Sequence, residues 1–184
     1  MARDSQETRR RLLDAATREF AERGIAGARV DRIADSAGVN KSLIYTYFGN
    51  KDGLFDAVFS AMIDNTVSEA PFDAMDVPGY AGRLFDQYLE RPEVLRLAVW
   101  DRLERDGVGG ELGREVTARK LASIEAAQAA GALTSKLEPE ELLGVVTSIV
   151  GMTTLATPRV RELDDEQRAV LRAKIVKAVT VALD

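Results

Sequence analysis

The chain contains neither cysteine nor histidine in its 184 residues. Without thiols it forms no disulfide and offers no thiolate nucleophile. Without imidazole it has no Cys/His zinc site and lacks the commonest general base. Catalysis would have to rest on carboxylates, Lys, Ser or Tyr, and no motif arranges these, so an enzyme is not expected and neither a cofactor nor a metal is implied. Long hydrophobic runs are also missing. The least charged stretch, Leu142 to Ala156, covers about 15 residues where a membrane-crossing helix needs about 20, and it reads instead as a helix buried on both sides. Met1 to Ala16 alternates charges of both signs and has no apolar run of the kind a secretory signal requires, so a cytoplasmic protein without membrane association is expected.

What is present is a large apolar fraction, 46%, enough for a sizeable core. The net charge of −5 conceals a polarised chain. Residues 1–51 carry 10 Lys or Arg against 7 Asp or Glu, a net +3, whereas residues 52–184 carry 15 against 23, a net −8. The positive potential that a polyanion would need is confined to the N-terminal quarter.

Apolar residues recur at helical spacing along the whole chain, and no stretch alternates as a strand would. Leu12, Leu13, Ala16 and Phe20 make a first amphipathic helix closed by Gly24. Val30, Ile33, Ala34 and Ala37 make a short second one, stopped by Gly38. Asn40 caps a third that runs to about Tyr47, and Asn50 caps a fourth carrying Leu54, Phe55, Val58, Phe59, Met62 and Ile63. After a connection from Pro71 to Gly79, Leu84 to Leu89 lie on a fifth helix. Pro92 opens a sixth that ends at the Gly107, Gly109, Gly110 cluster, and a seventh runs from Glu111 to Ala130. Pro139 opens an eighth, and Asp164 with Gln167 forms a capping box for a ninth. The expected fold is all-α with about nine helices. Residues 1–51 would form an N-terminal three-helix domain, and residues 52–184 a larger helical domain.

The segment from Val30 to Phe48 carries the functional signal. Two short helices are joined by a turn too brief for anything but a sharp bend, with Ala34 small at the crossing, Gly38 free to take positive φ, and Val39 and Ile44 locking the angle. In a helix-turn-helix the second helix enters the major groove with its N-terminal residues nearest the bases. Here these are Lys41, Ser42, Tyr45 and Thr46, all hydrogen-bond donors and none acidic.

On these residues the chain resembles the TetR family of bacterial transcriptional regulators. Ile33-Ala34, Ala37-Gly38-Val39, Ile44-Tyr45, Tyr47-Phe48 and Lys51 follow the family's order and spacing over about the first 55 residues. The resemblance implies that Tyr45, Tyr47 and Lys51 touch phosphates and that Lys41, Ser42 and Thr46 lie on or near base edges. It also implies a dimer acting on a double-stranded, pseudo-palindromic operator, most simply as a repressor released by a small apolar effector. The chain departs from the family at Ala28-Arg29, where a Ser or Thr cap is usual, and the added cation places Arg29 with the phosphate set. A soluble small-molecule-binding protein without specific DNA binding is the competing reading.

Some residues support two readings. Tyr45 and Tyr47 sit at i, i+2 and so face different sides of a helix, which favours DNA contact for at least one over packing for both; Phe48 is assigned to the core. Arg9, Arg10 and Arg11 form either a solvated face or a phosphate contact. Gly107-Val108-Gly109-Gly110 is a loop rather than a dinucleotide fingerprint, since the next glycine falls at 113 and no strand precedes it. The acidic groups at Glu138–Glu141 and Asp164–Glu166 sit at helix starts, where they complement the dipole.

The resemblance implies an effector pocket in the middle helices and a dimer interface from the last two. Phe59, Met62, Phe85, Tyr88, Trp100 and Met152 are the pocket candidates, and each equally suits ordinary core filling. For the interface, Val146 and Val150 on the eighth helix and Leu171, Ile175 and Val179 on the ninth would meet their symmetry mates in a four-helix bundle.

Overall fold

The computed structural model describes the backbone of residues 2–107 and 109–184, and side chains from residue 5 onward over the same span. Met1, in the charged N-terminal segment, and Val108, in the glycine cluster, lie outside the described residues. The described residues are helical with no strand, in the order α1 Ala2–Gly27, α2 Val30–Ala37, α3 Ser42–Phe48, α4 Lys51–Glu69, α5 Val77–Glu90, α6 Pro92–Glu104, α7 Gly110–Ala129, α8 Pro139–Ala156 and α9 Asp165–Leu183. A single 3₁₀ turn, Val160–Glu162, precedes α9.

The expected breaks occur for the expected reasons. Helical geometry in α1 is interrupted at Gly24, whose φ of 73° suits only glycine well. The Asn50 side chain accepts from the Gly53 N–H at 2.8 Å, capping α4. Asp164 and Gln167 form the reciprocal capping box of α9. The connection after α4 is shorter than its Pro and Gly suggest. Asp76 caps α5 by accepting from the Gly79 N–H at 2.9 Å, and Pro78 fits the first turn, where no N–H is needed.

Two compact units emerge. The first comprises Met1–Asp64 and Glu93–Arg114, the second Asn65–Pro92 and Glu115–Asp184. Compactness thus divides the chain differently from charge, and position 51/52 lies inside the first unit. The cause is packing: Phe55 of α4 meets Phe20 of α1 edge-on with ring centroids 5.2 Å apart, and the Trp100 indole N–H of α6 donates to the Ala21 carbonyl at 3.3 Å. Leu12, Phe20, Ile33, Ile44, Leu54, Phe55 and Leu97 are fully buried there. Each such side chain contributes about 1.5–3 kcal/mol relative to exposure.

In the second unit α5 packs against α8 and α9, which also pack on each other. Leu142, Val146 and Val150 of α8 and Ile175 and Val179 of α9 are enclosed in this core. Leu142 to Ala156 is therefore not buried on both sides within the chain, because Gly144, Ser148, Met152 and Leu155 on the opposite face of α8 are exposed.

The tightest backbone constraint is at Gly38, which ends α2 at φ 64°, ψ 42°. A Cβ placed there would lie 2.7 Å from the Arg11 guanidinium, which donates to the Ala37 and Gly38 carbonyls. Gly38→Val is expected to destabilise the first unit by about 1–3 kcal/mol through left-handed strain, as read by urea denaturation.

Candidate nucleic-acid interface

The α2–α3 pair is held by its neighbours. At the start of α2, Arg29 is extended and supplies no side-chain cap. The cap absent from Ala28-Arg29 comes instead from α1: Glu19 accepts from the Arg29 N–H at 3.0 Å and from Arg32 Nε at 2.8 Å. Partial burial pushes the Glu19 carboxyl upward, but its bonds to Arg32 and to the Arg29 N–H outweigh this and hold it below its ordinary value. Arg32 also donates to the Gly27 carbonyl at 2.9 Å. At the other end of α2, Arg11 satisfies carbonyls left free by the turn. Neither Glu19 nor Arg11 was legible as a cap, since both act across more than two helical turns of sequence.

In α3, Asn40 accepts from both the Ser42 N–H and the Ser42 hydroxyl at 2.8 Å, so it caps the turn as its residue type suggests. Ile44 is fully buried and Val39 half-buried. This packing leaves Lys41, Ser42, Tyr45 and Thr46 exposed on the first turns. Tyr45 remains 47% exposed although aromatic, and Thr46 donates back to the Ser42 carbonyl at 3.0 Å. Arg29 is exposed at the start of α2.

Tyr47 and Lys51 are half-buried and already engaged. The Tyr47 hydroxyl lies 2.9 Å from the Ser5 hydroxyl, and the Lys51 ammonium donates to the Ala26 and Ala28 carbonyls at 3.3 and 3.4 Å. Phe48 is half-buried rather than part of the core, with the Arg9 guanidinium 5.5 Å above its ring. The short basic run divides into three uses: Arg9 covers Phe48, Arg10 pairs with Glu7 at 2.7 Å, and Arg11 caps the turn.

An acid stands beside the exposed tip, and nothing local in the sequence marks it. Asp31 of α2 lies 2.7 Å from the Lys41 ammonium and raises its pKa above the ordinary value. Both partners are exposed, so the pair is weak and exchangeable.

Family models cover most of the chain. Residues 12–58 match the bacterial regulatory proteins of the tetR family, and residues 76–180 match the tetracyclin repressor-like C-terminal domain. The chain belongs to the TetR family of bacterial transcriptional regulators. It is 36% identical to the HTH-type transcriptional repressor SCO4008 of Streptomyces coelicolor, covering 100% of this chain and 98% of that protein. It is similar in structure to the putative transcriptional regulator SCO4942 of Streptomyces coelicolor, with TM-score 0.79, 36% identity, and 95% and 97% of the two chains covered. FadR of Bacillus subtilis, solved with stearoyl-CoA, shares the fold at TM-score 0.70 and 16% identity, over 95% and 98% of the chains. As in the family, this chain is a DNA-binding regulator. No helix among the described residues is long and apolar enough to cross a membrane.

The six pocket candidates are distributed between the two units. Phe59, Met62 and Trp100 belong to the first, and Phe85, Tyr88 and Met152 to the second. Phe59, Phe85 and Tyr88 are buried, Met62 and Trp100 half-buried, and Met152 is 61% exposed on α8, facing away from the core. Of the interface candidates, Val146, Val150, Ile175 and Val179 are enclosed in their own protomer's core and Leu171 is half-buried. As placed, these four are not available to a second subunit. Their apolar spacing marks a packed face, and the chain's own α5 occupies it.

The second unit also holds an unforeseen polar cluster. The Lys120 ammonium of α7 donates to the Tyr80 hydroxyl of α5 at 2.8 Å and lies 5.0 Å from the Tyr80 ring and 5.9 Å from that of Phe72. Burial lowers Lys120 to about 8, pushes Tyr80 up to about 12 and raises Tyr88 as well. Ordinary values are 10.5 for the lysine and 10.0 for the tyrosines.

Two outcomes follow. Asp31→Asn frees Lys41 and should raise affinity for non-cognate duplex DNA severalfold, narrowing the ratio of specific to non-specific binding in a salt-controlled titration. From pH 8 to about 10 the unfolded chain keeps the Lys120 proton that the folded chain has lost, so stability rises with pH; above pH 10 the folded chain retains the Tyr80 proton that the unfolded chain loses, so stability falls. Melting temperatures across this range should therefore climb and then drop.

Proposed function

We propose that the chain is a homodimeric repressor that grips a pseudo-palindromic operator through α3 and is released when a small molecule binds its C-terminal part. The observation that carries this reading is the exposed donor tip Lys41-Ser42, Tyr45 and Thr46, held by a capped, sharply turned helix pair in the positively charged quarter of the chain. In this role these side chains address base edges, Tyr45 also serving the backbone, while Arg29, Tyr47 and Lys51 address phosphates. Repression is the role named for the relative in Streptomyces coelicolor, the HTH-type transcriptional repressor SCO4008. Release by a small molecule is consistent with the stearoyl-CoA held by FadR of Bacillus subtilis.

Dimerisation through α8 and α9 uses the faces their own core leaves open. On α8 these present Gly144, Ser148, Met152 and Leu155, which recur every three or four residues on one side. On α9 they present Val170, Lys174, Lys177 and Val181 in the same manner. Exposed apolar side chains on such faces are what a partner would cover. Gly144 has open space beside its Cα, so another backbone can approach closely.

The test combines selection with assembly. Duplex selection from random sequence should return a two-fold symmetric site, and Lys41→Ala or Thr46→Ala should change the preferred bases rather than affinity alone. Met152→Glu should give a monomer by sedimentation with helical content intact and weak operator binding, whereas Val146→Glu should unfold the chain. A sequence-indifferent dimer, or a Met152→Glu protein that remains dimeric, would refute the corresponding half of the proposal.

A further inference from the structure

We propose that the second unit binds the carboxylate of an amphipathic organic acid, with Lys120 as the anion-binding group and the Tyr80 hydroxyl as its second donor. This assignment rests on the effector-released reading above and names the chemistry of that effector.

The Lys120 ammonium is unusual among the cations of its unit. Arg83 pairs with Asp76 at 3.2 Å, Arg91 with Glu69 at 2.7 Å and Arg172 with Asp86 at 2.8 Å. Lys120 is half-buried, bonded to a tyrosine only 1% exposed, and burial alone moves its proton equilibrium, with no acidic group offsetting it. A cation withdrawn from water is costly unless an anion pairs with it. The Tyr80 and Phe72 rings attract it weakly by their faces, and the pairing that would offset its burial is absent among the described residues.

The geometry selects a carboxylate. Lys120 donates to Tyr80, so the tyrosine keeps its own hydrogen to donate elsewhere, and the ammonium retains further donors. One cation and one neutral donor match the single charge and two oxygens of a carboxylate better than a doubly charged phosphate. Flanking aromatic rings suit an apolar body attached to it. A second observation points the same way. Gln87, seven residues after Tyr80 and hence on the same side of α5, is 3% exposed; its amide N–H donates to Glu69 at 3.1 Å, while its carbonyl oxygen is buried without a partner. A buried acceptor of this kind is free to accept from a bound molecule or from water. Tyr80 and Gln87 are about 10 Å apart along the helix axis, so an acid carrying a hydroxyl or N–H at that span would meet both.

The experiment uses the full-length protein and two matched pairs of compounds, 4-phenylbutanoate with 4-phenylbutanamide and octanoate with octanamide, in calorimetric titrations at neutral pH. At least one acid should bind at least about tenfold more tightly than its amide, equivalent to about 1.4 kcal/mol. Lys120→Met should abolish that preference while leaving operator affinity without compound within about twofold. Its melting temperature should not fall, because an unpaired buried charge has been replaced by a thioether of similar length; a purely structural Lys120 would give the opposite result. Tyr80→Phe, which keeps the ring, should reduce the preference severalfold and serves if the Lys120 variant does not fold. If neither acid outbinds its amide, or if the preference survives in the variants, the assignment falls. If acids bind through Lys120 but leave the operator occupied, the site stands and the release reading fails; if other compounds release the operator and these acids do not bind, the reverse holds.

Discussion

The grip of α1 on α2 is the constraint on which the reading head depends. Glu19 and Arg11 lie eight positions apart in α1, and α2 is eight residues long. At the rise of an α-helix both spans are about 12 Å, so one long helix can hold both ends of a short one. The signs are also right. The carboxylate lies at the N-terminus of α2, where free N–H groups point out, and the guanidinium at its C-terminus, where free carbonyls do. An eight-residue helix is too short to be stable alone. Its orientation, and through Gly38 that of α3, is set by packing and by these two side chains.

That arrangement also explains the economy of the basic segment. A count of positive charge in residues 1–51 treats every cation as a candidate for phosphate, yet several already serve the fold. Arg11 closes the turn, Arg32 binds Glu19 and the end of α1, and Arg10 pairs with Glu7. Lys51 holds carbonyls at the end of α1, so a phosphate approaching it would meet a side chain already oriented rather than one searching for a position. The cations left exposed at the α2–α3 pair are Arg29 and Lys41, and Lys41 is shared with Asp31. An acid beside an exposed lysine lowers the net positive charge there and with it the sequence-independent attraction to a polyanion.

The second unit shows the same economy with apolar surface. Helices α8 and α9 each carry more apolar residues than one face requires. One face packs inward on α5, and the other remains exposed with Met152, Leu155, Val170 and Val181 upon it. With apolar residues on both its inward and its exposed face, Leu142 to Ala156 carries little charge. Polar exceptions to apolar filling in this unit include half-buried Lys120 of α7, bonded to Tyr80 of α5, and the buried Gln87 and Thr154. Half-satisfied polar groups in a core weaken it.

The helices, several of their caps and the helix-turn-helix were determined by the sequence alone because those signals are local: Gly38 for positive φ, Asn40, Asn50 and Asp164 for caps, Pro92 and Pro139 for helix starts, and apolar spacing between them. Exposure of Ser42 and Thr46 was equally legible, since they lie two residues either side of Ile44 and turn outward once Ile44 faces inward. Tertiary structure alone decided what each periodic face packs against. Val146, Val150, Ile175 and Val179 have the same spacing whether they meet α5 or another subunit, and only the packed chain assigns them to its own core. It likewise decided the long-range partnerships of Glu19, Arg11, Asp31 and Lys120, because a charge in a sequence carries no mark of the group that will face it after folding.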